Sequence, residues 1–426
     1  MVRLSGREAG PILRKVFRPA ADSPWCVPRR LCLGDVTAHQ GTTLDHALAV
    51  FFEAPDSFTG EDVAELHLHG APGIVRGVMD AVQRLGARRA LPGEFSYRAF
   101  LNAKISLMAA EAINVLVTAE TESQATDLGR GLRGGLEDEL RAMLGRILDL
   151  RARWEAQIDF PEDVSEGRPM AETGEVGEIV ERLSDLLATS RSLRRLREGW
   201  RVALVGPVNS GKSSLFNALL HRERALVTPH PGTTRDVLEE AIQVAGYPLV
   251  LLDTAGLRPT PDPVETVGQA WGLQAARDAD ATLLVYDMAR GWGEPEETVL
   301  RALQVPPLAV VGNKRDLADG VIARDHLRVS AVTGEGLGDL ISLLGAWMEE
   351  EAPRGREILL SERQVEVTAR ALDGARRALE AWTEGRSEEL ALQGLVQAQR
   401  SLEELLTGKG DEDLYDLIFS RFCVGK

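Results

Sequence analysis

The chain has little that would tie it to an oxidising compartment or a membrane. Its 426 residues include three cysteines, Cys26, Cys32 and Cys423. Three are too few for a disulfide framework in a chain of this length, and a reducing cytoplasm is the expected location. No stretch approaches the roughly 18–20 apolar residues of a membrane-spanning helix, so no membrane partner is expected. The opening MVRLSGREAGPILRKVF lacks the apolar core and cleavage site of a secretory leader. Positive charge is also short. The formal net charge is −16, which opposes broad non-specific binding to nucleic acid, because that binding works by displacing phosphate counterions. A nucleic-acid partner must therefore meet a local basic patch or a second subunit.

What is present is a soluble globular pattern, 44% hydrophobic and 27% charged, with length for two or three domains. Residues 1–102 mix short apolar runs with turns and read as α+β. Leu44 to Phe52 predicts a strand. Ala71-Pro72-Gly73 opens an amphipathic helix with Ile74, Val78, Val82 and Leu85 on one face, and Pro92-Gly93 marks a turn. Residues 103–198 carry helical periodicity: Leu128, Leu132, Leu136, Leu140, Leu144, Ile147 and Leu148 predict one apolar face, broken at Asp159-Phe160-Pro161. A second helical run spans about 175–198 and ends in the basic stretch Arg191 to Arg197.

From Gly199 the texture changes. Buried-strand runs at Val202–Val205, Leu249–Leu252, Thr282–Tyr286, Leu308–Val311 and Leu327–Val329 alternate with helices over 199–352, which predicts a parallel sheet covered on both faces. Residues 353–426 return to helix. The helical regions flank the α/β region in sequence, so they are expected to pack together with that region inserted between them. The fold class is multi-domain: an α+β N-terminal domain, a discontinuous helical domain and an inserted Ras-like phosphate-loop domain.

Gly206-Pro207-Val208-Asn209-Ser210-Gly211-Lys212-Ser213 is a complete phosphate-loop pattern between a strand and a helical run that begins Ser214-Leu215-Phe216. Its glycines let backbone N–H groups close around phosphates at a helix N-terminus. Lys212 would reach the β- and γ-phosphates, and the Ser213 hydroxyl would ligate Mg²⁺. Asp253-Thr254-Ala255-Gly256 ends a strand, where a carboxylate can hold the Mg²⁺ hydration shell and the Gly256 N–H can sense the γ-phosphate. Asn313-Lys314-Arg315-Asp316 ends another. Asp316 is placed to accept hydrogen bonds from the guanine ring N–H and amine, which adenine cannot reproduce, and the Ser330-Ala331 backbone can meet the guanine carbonyl. In the intervening loop, Thr234, or else Thr233, would complete the Mg²⁺ shell. His230, in a Pro/Gly-rich stretch, reads as solvated.

One expected group is missing. Leu257 follows Asp-Thr-Ala-Gly where many GTPases carry a water-orienting Gln, and an aliphatic side chain cannot position water. Another group must assist. The carbonyl of Asn209 could help hold a monovalent cation beside the phosphates, and Glu265 is a candidate water-orienting carboxylate, although a Glu so placed is more often a solvated surface residue.

Several stretches together resemble the MnmE (TrmE) family of tRNA-modification GTPases: Phe58-Thr59-Gly60-Glu61-Asp62, Pro92-Gly93-Glu94-Phe95-Ser96, Arg98-Ala99-Phe100-Leu101-Asn102, GPVNSGKSSLFN, Gly232-Thr233-Thr234-Arg235-Asp236 and the tail FCVGK. They span nearly the whole chain in the family's order. The resemblance implies a folate-binding N-terminal domain that dimerises, and an FAD-binding partner (GidA, or MnmG) in a heterotetramer. It further implies a carboxymethylaminomethyl or aminomethyl group built on the wobble uridine of certain tRNAs, with a 5-formyl- or methylene-tetrahydrofolate derivative as carbon donor. K⁺ would be held by Asn209, Thr228, Thr233 and the backbone of His230, and would activate GTP hydrolysis as two G domains dimerise. Ser213 and Thr234 match Mg²⁺ ligands, and Glu265 and Lys212 match catalytic positions. Arg3, Glu65, Lys104 and Lys426 match folate contacts, and Cys423 the C-terminal cysteine. The family's Lys-x-Asp-Leu appears here as Lys104-Ile105-Ser106-Leu107.

An Era-type RNA-binding switch GTPase fits the α/β region, but it predicts a basic C-terminal module, against which Asp411-Glu412-Asp413 and the FCVGK tail argue. A regulatory switch without modification chemistry is the third reading. Asp316→Asn is expected to lose the preference for GTP; competition binding of guanine and adenine nucleotides checks this, and an unchanged GTP affinity would remove the base-recognition role.

Overall fold

In the computed structural model, the described residues are 1–20, 27–38, 41–159, 170–222, 238–253, 275–318, 326–352, 357–384, 387–408, 415, 418–420 and 422, with backbone alone at 158–159, 170–172, 190–192 and 238. They form two compact units. The first comprises Met1–Asn114, Leu132–Val180 and Glu366–Lys426; the second comprises Val115–Gly131 and Glu181–Val365.

In chain order the first stretch gives β1 (Val2–Ser5), α1 (Ala9–Val16), β2 (Phe17–Pro19), β3 (Cys32–Thr37), β4 (Thr43–Phe52), β5 (Val63–His67), α2 (Pro72–Arg84), α3 (Glu94–Leu101) and α4 (Leu107–Leu116). Their sheet is antiparallel throughout, in the order β1-β5-β4-β3-β2. The period-2 alternation of its strands sends Cys32, Val36, Ala47, Ala49, Ala64 and Leu66 into one core with Ile12, Leu13 and Val16 of α1 and Val78, Ala81 and Val82 of α2. The strand and helix expected around Leu44–Phe52 and after Ala71 are present. Gly93 adopts φ +66°, and a Cβ there would meet the Phe419 carbonyl at 2.5 Å. The Pro92-Gly93 turn is thereby seated against a cluster of Leu107, Ala110, Phe419 and Phe422. Ser106, which replaces an Asp of the family pattern, caps α4 by accepting from the Ala109 N–H at 3.1 Å. A hydroxyl serves as an N-cap about as well as a carboxylate.

Next come α5 (Glu122–Leu128), α6 (Gly135–Asp159) and α7 (Met170–Glu198). The continuous leucine face expected from Leu128 to Leu148 is not formed. A short 3₁₀ turn over Gly129–Arg133 resets the phase, leaving Leu132 41% and Leu148 41% exposed. The buried stripe of α6 is instead Leu136, Leu140, Met143, Ile147, Leu150 and Trp154. α6 does end at Asp159, as expected.

The second unit continues with β6 (Trp200–Val205), α8 (Lys212–Arg222), β7 (Leu238–Val244), β8 (Tyr247–Asp253), β9 (Ala281–Asp287), α9 (Glu294–Ala302), β10 (Ala309–Asn313), β11 (Leu327–Arg328) and α10 (Leu337–Glu351). Its sheet runs β11-β10-β9-β6-β8-β7. The five expected strands are parallel. The sheet is not wholly parallel, however, because β7 adds an antiparallel edge paired to β8. Val115–Gly131 also belongs to this unit. Tyr247, at the β7–β8 turn, donates to Asp127 Oδ2 of α5 at 2.6 Å, with both residues buried.

The chain closes with α11 (Glu362–Thr383) and α12 (Glu388–Thr407). α12 packs on α6, far away in sequence, so the helical domain is discontinuous. Trp154 of α6 stacks face to face on Trp382 of α11, with centroids 3.9 Å apart and planes 2° apart. Gly394 lets α12 touch α11 directly, since a Cβ there would meet the Ala378 nitrogen at 2.6 Å. Trp382→Ala should destabilise this unit by about 3–5 kcal/mol, as expected for removing a fully buried aromatic. A lowered denaturant midpoint, followed by the fluorescence of Trp154, checks it.

Candidate functional site

The nucleotide site is built where parallel strands end. β6 delivers Val205 to Gly206, whose φ of +148° and whose missing Cβ, which would lie 2.0 Å from the Val285 carbonyl, leave room for no other residue. Asn209 (φ +64°) and Gly211 (φ +90°) complete the turn into α8. A Cβ on Gly211 would fall 2.3 Å from Asn313 Nδ2. These conformations point the first backbone N–H groups of α8 outward, where the helix dipole favours an anion.

Lys212 is buried at the base of the loop. Its ammonium donates to the carbonyls of Gly206 (3.0 Å) and Pro207 (2.8 Å). Burial lowers its pKa from the usual lysine value, and the charge of Asp253 opposes that shift without cancelling it. Asp253 is 1% exposed at the end of β8, in register with Leu204 of β6. Ser213 and Ser214 are exposed in the first turn of α8. The Ser210 hydroxyl is buried without a hydrogen-bond partner among the described residues.

Asn313 and Lys314 fasten the end of β10 to this loop. Asn313 Nδ2 donates to the Gly211 carbonyl at 3.1 Å, while its Oδ1 accepts from the N–H groups of Lys314 (2.8 Å) and Ala331 (3.1 Å). Lys314 Nζ donates to the Asn209 carbonyl (2.8 Å) and to Asp287 Oδ2 (2.7 Å). The Ser330 hydroxyl donates to Asp316 Oδ1 at 2.5 Å. Asn209, Ser210, Gly211, Lys212, Asp253, Asn313, Lys314, Asp316, Ser330 and Ala331 are therefore brought together. Thr228, His230, Thr233, Thr234, Thr254, Ala255, Gly256, Leu257 and Glu265 lie outside the described residues.

Asp287 was not singled out by the sequence. It ends β9 directly beside Asn313 of β10. Burial alone would raise its carboxyl, but the bond from Lys314, the Ala289 N–H and the charges of Lys314 and Arg290 outweigh this and hold it below its usual value. The available signal was an acid closing a run of apolar strand residues, a position where a buried carboxylate needs a cation.

The donors and acceptors of the first unit form a second network. Arg3 and Glu65 are opposite one another on β1 and β5 and are bonded at 2.8 Å. The Arg3 guanidinium lies over the rings of Phe58 (5.7 Å) and Phe95 (5.5 Å). Ser5, two residues along the same face of β1, bonds Thr59 (2.7 Å) and Glu61 (2.8 Å). Glu61 meets Arg98 at 2.8 Å, and Arg98 meets Glu94 at 2.7 Å. Hydrogen bonds from Arg88, Leu91 and Arg98 hold the Glu94 carboxyl at about 2 against the opposing effect of burial. The stem of Lys104 lies beside Gly60, whose added Cβ would be 3.2 Å from Lys104 Cγ. Cys423 and Lys426 lie outside the described residues; Phe422, their neighbour in sequence, packs at Gly93.

A loop of this shape accepts any nucleoside triphosphate, so the class is decided by what is bonded to it. An Asn-Lys-x-Asp strand end pinned to the loop, with a carboxylate acceptor presented for a ring N–H, belongs to guanine-nucleotide hydrolases rather than to ATPases. The model of the MnmE helical domain matches residues 107–423, and that of the GTP-binding protein TrmE N-terminus matches residues 1–104. The chain is 40% identical to the tRNA modification GTPase MnmE of Synechococcus sp. (strain RCC307), over 100% of this chain and 94% of that protein. It is 40% identical to the protein of the same name from Thermus thermophilus, over 100% and 95%. The chain belongs to the MnmE family of tRNA modification GTPases. Among solved structures, the G domain of the T. maritima FeoB transporter is 27% identical over 35% of this chain and 98% of that one, with a TM-score of 0.26; the assignment rests on the sequence matches alone.

Asp287→Asn should free Lys314 and weaken guanine-nucleotide affinity by about tenfold or more, the equivalent of losing one charge-assisted hydrogen bond. Dissociation of a fluorescent GDP analogue measures it, with faster release expected.

Proposed function

We propose that this chain is a K⁺-activated GTPase that works with an FAD-binding partner subunit of the GidA (MnmG) kind. Together they install a carboxymethylaminomethyl or aminomethyl group at C5 of the wobble uridine of certain tRNAs. The observation that carries the reading is the bonding of Asn313 and Lys314 to the phosphate loop at Gly211 and Asn209. It joins guanine selection to the segment that holds the phosphates.

Ser213, Asp253 and Thr234 are the residues to hold Mg²⁺. The fit is supported by a buried carboxylate at a strand end beside the loop and an exposed hydroxyl in the first turn of α8. Asn209, Thr228, Thr233 and the backbone of His230 are the residues to hold K⁺, which would supply beside the phosphates the positive charge that an arginine supplies elsewhere. Lys314 holds the backbone carbonyl of Asn209 in a left-handed turn, which leaves the side-chain carbonyl of Asn209 as the group to meet the cation. Glu265 would orient water in place of the missing Gln. Arg3, Glu65, Lys104 and Lys426 would take a tetrahydrofolate derivative as the one-carbon source; the aromatic rings of Phe58 and Phe95 beside Arg3 suit a planar heterocycle.

The domain reading assigns 1–102 to folate binding and dimerisation, 103–198 and 353–426 to the helical domain, and 199–352 to the G domain. The working form is a cytoplasmic homodimer paired with its FAD-binding subunit. Among the described residues no helix is long and apolar enough to cross a membrane.

Two measurements test the reading. GTP turnover should be about tenfold or more faster in K⁺ than in Na⁺, because the added charge acts where negative charge develops; equal rates remove the cation role of Asn209. Nucleoside mass spectrometry of tRNA from cells lacking the gene should show loss of the wobble modification, and retained modification removes the function.

A further inference from the structure

The formal charge of the chain is −16, yet one face of the N-terminal sheet domain carries the opposite sign. α1 and α2 lie side by side over the same core, and each buries its apolar stripe against the sheet. Their outer faces, with Arg7 just before α1, carry Arg7, Arg14, Lys15, Arg76 and Arg84, all exposed. The acids in the same segments, 7–17 and 72–84, are Glu8 and Asp80, so five positive against two negative charges leave a local charge of +3.

Most arginines of the described residues are matched to a carboxylate, as in the pairs Arg146–Glu178, Arg370–Glu404 and Arg195–Asp280. Lys15, Arg76 and Arg84 differ: none makes an ion pair among the described residues. Lys15 and Arg84 lie in the last turns of α1 and α2, where a cation also suits the helix dipole, whereas Arg76 stands away from either end of its helix. Arg76 and Arg84 stand about two turns apart on α2, about 12 Å at 1.5 Å rise per residue, far enough to meet separate phosphates.

We infer that the α1–α2 face is a docking surface for the phosphate backbone of tRNA. This rests on the functional reading above and adds where the substrate is held. Charge complementarity selects the occupant. The large exposed apolar side chains of the described residues fall outside segments 7–17 and 72–84. The face therefore has neither the apolar wedge that a membrane-binding helix inserts nor the apolar centre of a protein–protein interface. Backbone contacts of this kind fix position and orientation without reading sequence. They suit an enzyme that must hold the body of several tRNAs while another site selects the base.

The test is salt-dependent tRNA binding by the full chain, followed by fluorescence anisotropy with a labelled tRNA transcript over a series of KCl concentrations. The wild type should bind with a steep dependence of log K on log salt. The variant K15Q/R76Q/R84Q should bind at least about tenfold more weakly at moderate salt. Its slope should be shallower by about 2, each lost phosphate contact removing between about 0.7 and 0.9. Exposed Lys and Arg replaced by Gln cost little stability, and unchanged GTP turnover confirms the fold. The charge-keeping variant K15R/R76K/R84K should bind as the wild type does. Wild-type affinity and slope in the Gln variant overturn the assignment, as does a wild-type chain that binds tRNA without salt dependence or not at all. The functional reading is judged separately, by wobble modification in cells lacking the gene and complemented with the wild type. Restored modification together with unaltered binding by the Gln variant removes the surface and leaves the function standing.

Discussion

One ammonium group joins the parts of the nucleotide site. Lys314 Nζ is held between the Asp287 carboxylate and the Asn209 carbonyl, and so ties the ends of β9 and β10 to the phosphate loop. Neither bond is possible without the register of the sheet. Asn313 lies opposite Asp287, which places Lys314 over the ends of both strands. A parallel sheet suits this work because its strands all finish at one edge, so loops distant in sequence converge there. The cost of burying Asp287 is offset by the cation beside it, and the cation is in turn fixed where the loop needs a donor. Phosphate binding and base selection are therefore one rigid object.

How much of this was legible in the sequence differs between the two sheets, for a physical reason. The central strands of the parallel sheet are covered on both faces, so they appear as unbroken apolar runs such as Leu283-Leu284-Val285, and all five expected strands were visible. The edge strand β7, Leu-Glu-Glu-Ala-Ile-Gln-Val, was not. It is half solvated, its acids face outward, and no run marks it. The antiparallel sheet has one covered face, so β1, β2, β3 and β5 are short alternating segments that look like loops, whereas β4, ten residues long, could be read. Helix periodicity also misled at one place. The leucine spacing continues smoothly from Leu128 to Leu148, but the Gly129–Arg133 turn rotates the phase, and the leucines alone do not encode it.

The candidate site divides in the same way. The phosphate loop, Asp253 and Asn313–Asp316 were legible because backbone geometry and ligand chemistry restrict the residue types allowed. Asp287 was not, because its requirement comes from Lys314, 27 residues away, and becomes visible only when the strand register is known. Arg3 and Glu65 illustrate the same limit: as isolated charges they read as surface residues, and only the pairing of β1 with β5 makes them neighbours under two aromatic rings.

The β7–β8 hairpin beside the nucleotide site is itself fastened to a helix of the same unit. β7 follows the 223–237 segment that holds Thr233 and Thr234, and β8 ends at Asp253, just before the 254–274 segment that holds Gly256. Both strands meet at a single turn, Ala245-Gly246-Tyr247. That turn is clamped. The Tyr247 hydroxyl is bonded to buried Asp127 of α5, its ring packs 5.1 Å from that of Trp200, and Gly246 leaves no room for a Cβ against Ser123. A buried Tyr–Asp bond resists separation because breaking it strands a desolvated carboxylate. α5 is therefore joined to the start of β8, within the second unit, by a contact too costly to break in passing.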